Sequence, residues 1–365
     1  MDTTEGSLPP PQEGEPIAPQ AWSRSSRRWA VALVVVSSIL LGVGVVARYV
    51  QLPYDTLAPG SARAVNSVIE VKGHPSYPPK GKVFYTTVAV RERVNPYEAL
   101  AGWIDPAVEV LPETKVRGTV PPDQFQRMNI EAMADSKTTA QVLALRQLGY
   151  TDLGAGAEVV EVVPGQPAAP VLKPSDVIVA IDGKPVATSS DAVAAIRARA
   201  AGDTLRMRVE RGDAAPIDVE AVLAEGEGRP LLGVRLSTKI KLPFDITIDS
   251  GRIVGPSAGL AYGLELLDLL TPGELTGGTS VAATGELLAD GTIGPIGGVA
   301  QKAVTVRRAG IKVFLVPKEN EAEALAHAGG GLEIRGVANF DEALKALATL
   351  DGSNALALGK PGAGS

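Results

Sequence analysis

The sequence predicts an α/β and α+β multidomain chain, built as an N-terminal transmembrane helix, a β-rich middle domain and a C-terminal α/β domain. Three stretches carry this. WAVALVVVSSILLGVGVVA (residues 29–47) runs 19 residues without a charge. Residues 152–226 break into short alternating segments around one amphipathic helical pattern. Residues 227–351 alternate glycine-rich turns, helical patterns and apolar runs such as KVFLVP (312–317). Strand-like and helix-like periodicities in that order give the two mixed classes.

With 365 residues, 45% of them hydrophobic, the chain can bury several cores. Its formal charge of −6, with no cluster of Lys and Arg, excludes the electrostatic footprint of a nucleic-acid binder. There is no cysteine and there are only two histidines, His74 and His327. A thiol nucleophile, a disulfide framework and a His- or Cys-based metal site are thereby excluded, and no metal or cofactor is expected.

Residues 29–48 are long enough at about 1.5 Å per residue to cross a hydrocarbon core, and are expected to insert into the lipid bilayer. Arg24, Arg27 and Arg28 precede the run and Arg48 follows it. The excess of positive charge before it puts the N-terminus in the cytoplasm and the rest outside, as a single-pass protein of the plasma membrane. A cleaved signal peptide competes with this reading, but GVVARYV offers a poor small-x-small exit. A buried core helix would need a polar outer face. Residues 1–28, acidic and rich in proline, are expected to be a disordered cytosolic tail. Residues 49–151 are expected as an extracytoplasmic spacer, with a strand or hairpin at 82–94 and two helices within 124–150, separated near Asp135 and Ser136.

In the middle unit, AEVVEVV and DVIVAI read as strands, Asp182-Gly183 as a turn, and Ser190 as the cap of the helix DAVAAIRARAAG. TLRMRVE puts Leu205, Met207 and Val209 on one face and Arg206, Arg208 and Glu210 on the other. The stretch VVPGQPAAPVLKPSDVIVAIDGKPV (162–186) resembles a bacterial PDZ domain of the kind attached to membrane proteases. That resemblance implies added-strand capture of an extended peptide. It places the carboxylate cradle at Leu153, Gly154, Ala155 and Gly156, although LGAG departs from the Gly-Leu-Gly-Phe style of loop. A domain that packs and positions without binding tightly is the other reading.

GPSAGLAYGLELL (255–267) sets a serine at the start of an apolar helix, with Pro256 suited to its first turn and Leu260, Leu264 and Leu267 on one face. Such a serine is either a cap or a nucleophile whose oxyanion the amides at the helix start, that of Ala258 included, would stabilise. In GPIGGVAQKAVTVRRAG (294–310), Lys302 shares the apolar face of a helix with Val299 and Val306, while Arg307 and Arg308 supply solvated charge. A lysine at its ordinary pKa is neutral in about one molecule in 2,500 at pH 7, so a base role demands burial. A snorkelling ammonium is the alternative.

Taken together, GPSAGLAYGLELLDLLTPGELTGG, VAATGELLADGTIGPIGGVAQKAV and RRAGIKVFLVP are similar in order and spacing to the proteolytic domain of Lon-type serine peptidases. The resemblance implies Ser257 as nucleophile, Lys302 as general base and Thr284 as the group that orients the lysine. With the preceding units, the chain resembles PDZ-containing, membrane-anchored Lon-like proteases. No GxxxxGK[ST] phosphate loop occurs in the sequence. The expected activity is therefore ATP-independent cleavage of unfolded or flexible protein segments, by a monomer or a homo-oligomer. Two other readings stay open at this point. One is an inactive, membrane-tethered peptide-binding scaffold. The other is a hydrolase using Ser257, Asp290 and His327, since GPSAG also fits GxSxG. Residues 352–365 are expected to be a loose tail.

Overall fold

The computed structural model describes residues 24–151, 153–226 and 228–350. Most of the expected N-terminal tail and all of the expected C-terminal tail lie outside the described residues. Helix α1 spans Arg24–Ala47 and already contains residues 24–28 of that tail. Its large apolar side chains are exposed along its length, and residues 27–47 are long and apolar enough to cross a membrane.

After α1 come β1 (Tyr54–Ala64), β2 (Ile69–Lys72), β3 (Lys82–Arg91), α2 (Pro96–Ile104), β4 (Glu109–Pro112), the one-turn helix α3 (Glu113–Arg117) and α4 (Pro122–Gln147). This region is not a spacer. Strands β1, β3 and β4 belong to the sheet of the C-terminal domain, a partnership that no local pattern announces. Nor are there two helices between residues 124 and 150, because α4 runs unbroken for 26 residues. Asp135 and Ser136, polar residues that favour helix ends, sit in mid-helix; the Ser136 hydroxyl is spent on a tertiary hydrogen bond to the Pro256 carbonyl rather than on a cap.

The middle unit contains β5 (Gly154–Val162), β6 (Val177–Ile181), β7 (Lys184–Pro185), α5 (Ser189–Arg197), β8 (Thr204–Glu210), β9 (Ile217–Val222), β10 (Ala224–Gly226), β11 (Arg229–Leu231) and β12 (Val234–Ile240). Its main sheet runs β12-β5-β6-β8-β9, so the unit extends beyond residue 226 to take in β12. On β8, Leu205, Met207 and Val209 are buried and their neighbours exposed, the alternation the sequence shows. The cap of α5 is Thr188, not Ser190. Thr188 accepts from the Asp191 N–H while the Asp191 carboxylate accepts from the Thr188 N–H, a reciprocal capping box.

The C-terminal domain adds β13 (Asp245–Ile248), α6 (Gly259–Leu270), β14 (Ser280–Ala283), β15 (Glu286–Leu287), β16 (Ile293–Gly294), α7 (Val299–Arg308), β17 (Val313–Pro317), α8 (Glu321–Ala328), β18 (Glu333–Val337) and α9 (Phe340–Ala348). Its six-stranded sheet is ordered β18-β17-β14-β3-β1-β4. The β18-β17-β14-β3 part is parallel, and β1 and β4 add antiparallel. Along β17, Val313 and Leu315 enter the core beneath α4, α6 and α9, whereas Phe314 and Val316 enter the core beneath α7 and α8. A strand covered on both faces must be apolar throughout, which explains the unbroken run VFLVP. Helix α6 goes further than an amphipathic stripe, for all twelve of its residues are buried, Glu265 and Asp268 included.

Candidate active site

Ser257 lies in a 3-10 turn, Pro256–Ala258, that leads directly into α6. Gly255 opens the turn at φ +94°, a conformation that residues with a Cβ rarely adopt. The backbone on either side is pinned from elsewhere in the chain. The Gly255 N–H donates to the Asn129 carbonyl of α4 (3.0 Å), and the Ser136 hydroxyl donates to the Pro256 carbonyl (2.9 Å). The Ser257 carbonyl accepts from the Thr284 hydroxyl (2.9 Å) and from the Gly285 N–H (2.8 Å). Gly259 is required for this closeness: a Cβ there would lie 2.6 Å from Ser136 Oγ.

Lys302 is delivered by α7, whose cap Gly298 is left-handed at φ +67°. A Cβ on Gly298 would stand 2.8 Å from Val88 Cγ2, so the start of α7 is pressed against β3. One turn later the Lys302 Nζ lies 2.8 Å from Ser257 Oγ and 3.0 Å from Thr284 Oγ1. The residue is only 3% exposed, so the snorkelling arrangement is not adopted. Burial alone, with no carboxylate nearby to favour the ammonium, lowers its pKa to about 7.

Hydrogen accounting defines what this trio can do. The Thr284 proton is committed to the Ser257 carbonyl, so Thr284 Oγ1 can only accept from Nζ. A neutral amine that donates one N–H to Thr284 keeps its lone pair for the Ser257 hydroxyl. With its pKa at about 7, about half of the amine is unprotonated at pH 7 and faces a serine O–H, the geometry of a base beside a nucleophile.

Ser257 and Lys302 lie in a cleft of about 800 Å³. Its walls include Leu57 on β1, Val88 on β3, Asn129 and Met133 on α4, and Arg252 and Val254 ahead of the serine. Much of that surface comes from residues 49–151, and sequence reasoning missed it. The alternation in 82–94 marked a strand but not its partner. The remaining candidates separate cleanly. His327 is exposed, its Nδ1 beside the Glu323 carbonyl at 2.9 Å, and the exposed Asp290 accepts from the Thr292 N–H. Neither contacts Ser257, and the Ser-Asp-His reading is set aside.

The expected peptide cradle is also corrected. Leu153 is buried in the core shared with α4 and α6. Gly154–Gly156 form the start of β5, and Ala155 is the extra residue of a bulge against β12. Strand β5 is paired on both sides, by β12 and β6, and has no open edge for a ligand strand. The glycines serve an internal approach: a Cβ on Gly154 would lie 2.3 Å from the Ala187 carbonyl oxygen, and the Gly156 N–H donates to that same carbonyl. Among the strands on this sheet's path the outer ones are β12 and β9, and β12 runs beside α5, where the Ser189 N–H donates to Thr238 Oγ1 (3.0 Å).

Comparison with known proteins assigns both units. The family model of the Lon protease (S16) C-terminal proteolytic domain matches residues 244–349, and that of the PDZ domain matches residues 136–220. This chain carries a Lon-type proteolytic domain and a PDZ domain. The Lon protease of Rickettsia typhi is 33% identical over 121 residues, covering 32% of this chain and 15% of the relative. That of Azospirillum brasilense is 39% identical over 94 residues, 25% of this chain and 11% of the relative. Lon protease 2 of Thermus thermophilus is 36% identical over 115 residues, 31% and 14% respectively. The chain thus spans a small part of the length of these relatives. Among solved structures, the PDZ domain of an SdrC-like protein from Listeria monocytogenes is 30% identical, covering 22% of this chain and 87% of that one at a TM-score of 0.21. The Lon-type match begins at residue 244, so β1, β3 and α4, which wall the cleft, lie outside it.

Proposed function

We propose that this chain is a membrane-anchored serine endopeptidase that hydrolyses peptide bonds with a Ser257–Lys302 dyad and without ATP. The observation that carries the reading is the 2.8 Å approach of Nζ to Oγ within a site dry enough to bring the amine to about pH 7. Neutral Lys302 takes the Ser257 proton as Oγ attacks the peptide carbonyl, and amides at the start of α6, that of Ala258 among them, hold the oxyanion. The Lys302 ammonium then protonates the leaving amine, giving an acyl-enzyme and a neutral base again. Water, deprotonated by the same amine, releases the second product. Thr284 orients the amine throughout.

The rest of the reading follows from the other elements. Helix α1 holds the chain in the plasma membrane, and the charge excess ahead of it puts the PDZ and proteolytic domains on the outer side. Unfolded or flexible segments suit the cleft as substrates, since nothing in the dyad's chemistry consumes a nucleotide. The PDZ domain engages substrate by strand addition at the open edge of β12. The test is cleavage of an unfolded protein by the wild type and by Ser257→Ala, Lys302→Ala and His327→Ala, with and without ATP. Cleavage lost in the first two variants, kept in the third and indifferent to ATP is the expected pattern. Equal cleavage by Ser257→Ala removes the nucleophile, and a wild type that cleaves nothing leaves the peptide-binding scaffold as the better account.

A further inference from the structure

Helix α2 has one face that the protein core does not use. Its inner face, Ala99 and Gly102, is buried; a Cβ on Gly102 would be 2.7 Å from Val110 of β4 and 3.5 Å from Thr56 of β1. Tyr97, Leu100, Trp103 and Ile104 lie within an arc of about 120° on the opposite side. All four are exposed, Trp103 by 66% and Ile104 by 73%. Four large apolar residues on nine positions of helix are too many for an ordinary watered surface.

The covering for this face is indicated by what α2 touches. The Tyr97 hydroxyl donates to the Gly44 carbonyl of α1 at 2.7 Å. Gly44 is three residues before the end of the apolar run at Ala47, about 4.5 Å inside it. The helix is therefore held at the level where a hydrocarbon layer gives way to headgroups. Tyr and Trp favour that level because one end of each ring system is apolar and the other polar. Arg48 closes the span, supplying a cation where anionic headgroups would lie, and the Arg91–Glu98 ion pair marks the opposite side of α2 as its polar side.

We infer that α2 lies in the surface of the bilayer crossed by α1, burying Tyr97, Leu100, Trp103 and Ile104 among the headgroups and upper acyl chains of the outer leaflet. The inference rests on the reading of α1 as a membrane span. It also places the cleft. Thr56 packs on α2, while Asp55 and Leu57, its neighbours on β1, point to the cleft on the other face of the sheet. One strand's thickness thus separates the lipid-resting helix from the cleft wall, and the substrate segments best placed to enter are those emerging from the same bilayer.

The absence of cysteine makes a direct test simple. Single cysteines are introduced into the full chain as Leu100→Cys, Ile104→Cys, Val36→Cys in α1, and Leu325→Cys on the exposed face of α8. Each carries a spin label in vesicles of zwitterionic and anionic phospholipid, and collision with oxygen, which partitions into lipid, is compared with collision with a water-soluble nickel chelate. The ratio should shift strongly toward oxygen at position 36, by a smaller but clear step at 100 and 104, and not at 325. Positions 100 and 104 matching 325 while 36 remains deep would overturn the inference and leave the span standing. A water-like ratio at 36 would remove the span, and the inference with it.

Discussion

Replacing Lys302 by methionine should destroy activity and at the same time make the protein more stable at neutral pH. In the folded chain the lysine titrates near 7, against 10.5 when exposed. Above pH 10.5 both states are neutral and the difference contributes nothing. As pH falls from 10.5 to 7 the unfolded chain gains a proton that the folded chain refuses, so stability is lost with falling pH. The loss is about 1.4 kcal/mol per pH unit and amounts to about 5 kcal/mol at pH 7. Lys302→Met removes that cost and loses the two hydrogen bonds from Nζ, each about 1 kcal/mol net. A gain of about 2–3 kcal/mol at pH 7 follows, turning into a loss of about 2 kcal/mol by pH 10.5, where the burial cost has vanished and only the two missing hydrogen bonds count. Denaturant unfolding of the detergent-solubilised chain at several pH values measures it, and peptidase assays should show a loss of about 10²–10⁴-fold. A variant less stable than wild type at pH 7 would refute the reasoning, for it would mean that the lysine is held as a satisfied cation.

Three further outcomes are expected. Thr284→Val removes both the acceptor for Nζ and the donor to the Ser257 carbonyl, so kcat should fall about 10–100-fold with the fold intact, and Thr284→Ser should restore most of it. Glu265 is raised from 4.5 to about 8 by burial, so its stabilising protonated form is fully present below pH 4.5 and lost as pH rises toward 8. Between pH 5 and 6, where Lys302 is protonated in both states, stability of the wild type to thermal unfolding should therefore weaken with rising pH, and Glu265→Gln should reduce that dependence to the part left by Asp268, itself raised by burial to about 6. Gly259→Ala must push apart Ser136 Oγ at 2.6 Å and Leu287 Cβ at 3.1 Å, costing about 1–3 kcal/mol in unfolding free energy and lowering kcat through displacement of the serine turn.

How much of this was legible in the sequence depended on whether the determining contact was local. The serine turn, the start of α7 at residue 299 and the strand ending at Pro317 are set by nearby glycine, proline and apolar spacing, and all were readable. The place of Lys302 on an apolar helical face was readable but left burial and snorkelling both open, and the structure decides for burial. The strands of residues 49–151 were misjudged because β3 pairs with β14, almost two hundred residues away, and the register of such a pair leaves no trace in either segment. Ser136 looked like a break because its local preference is for a cap, whereas its hydroxyl is used across the domain. The PDZ resemblance put Gly154 and Gly156 in a carboxylate cradle, whereas the group that comes close to them is the Ala187 carbonyl. Glycine records that space is needed and is silent on what fills it.

Lys302 should give up its proton beside Ser257 near pH 7, far below the pH at which an exposed lysine does. The most direct test is the rate at which a serine-reactive phosphonate labels Ser257 in the full chain, followed by mass spectrometry as a function of pH. The account predicts a tenfold rise per pH unit below about 7 and a plateau above it, with both features absent in Lys302→Met. A rate that climbs steadily past pH 9, as an amine of ordinary basicity would give, would contradict it.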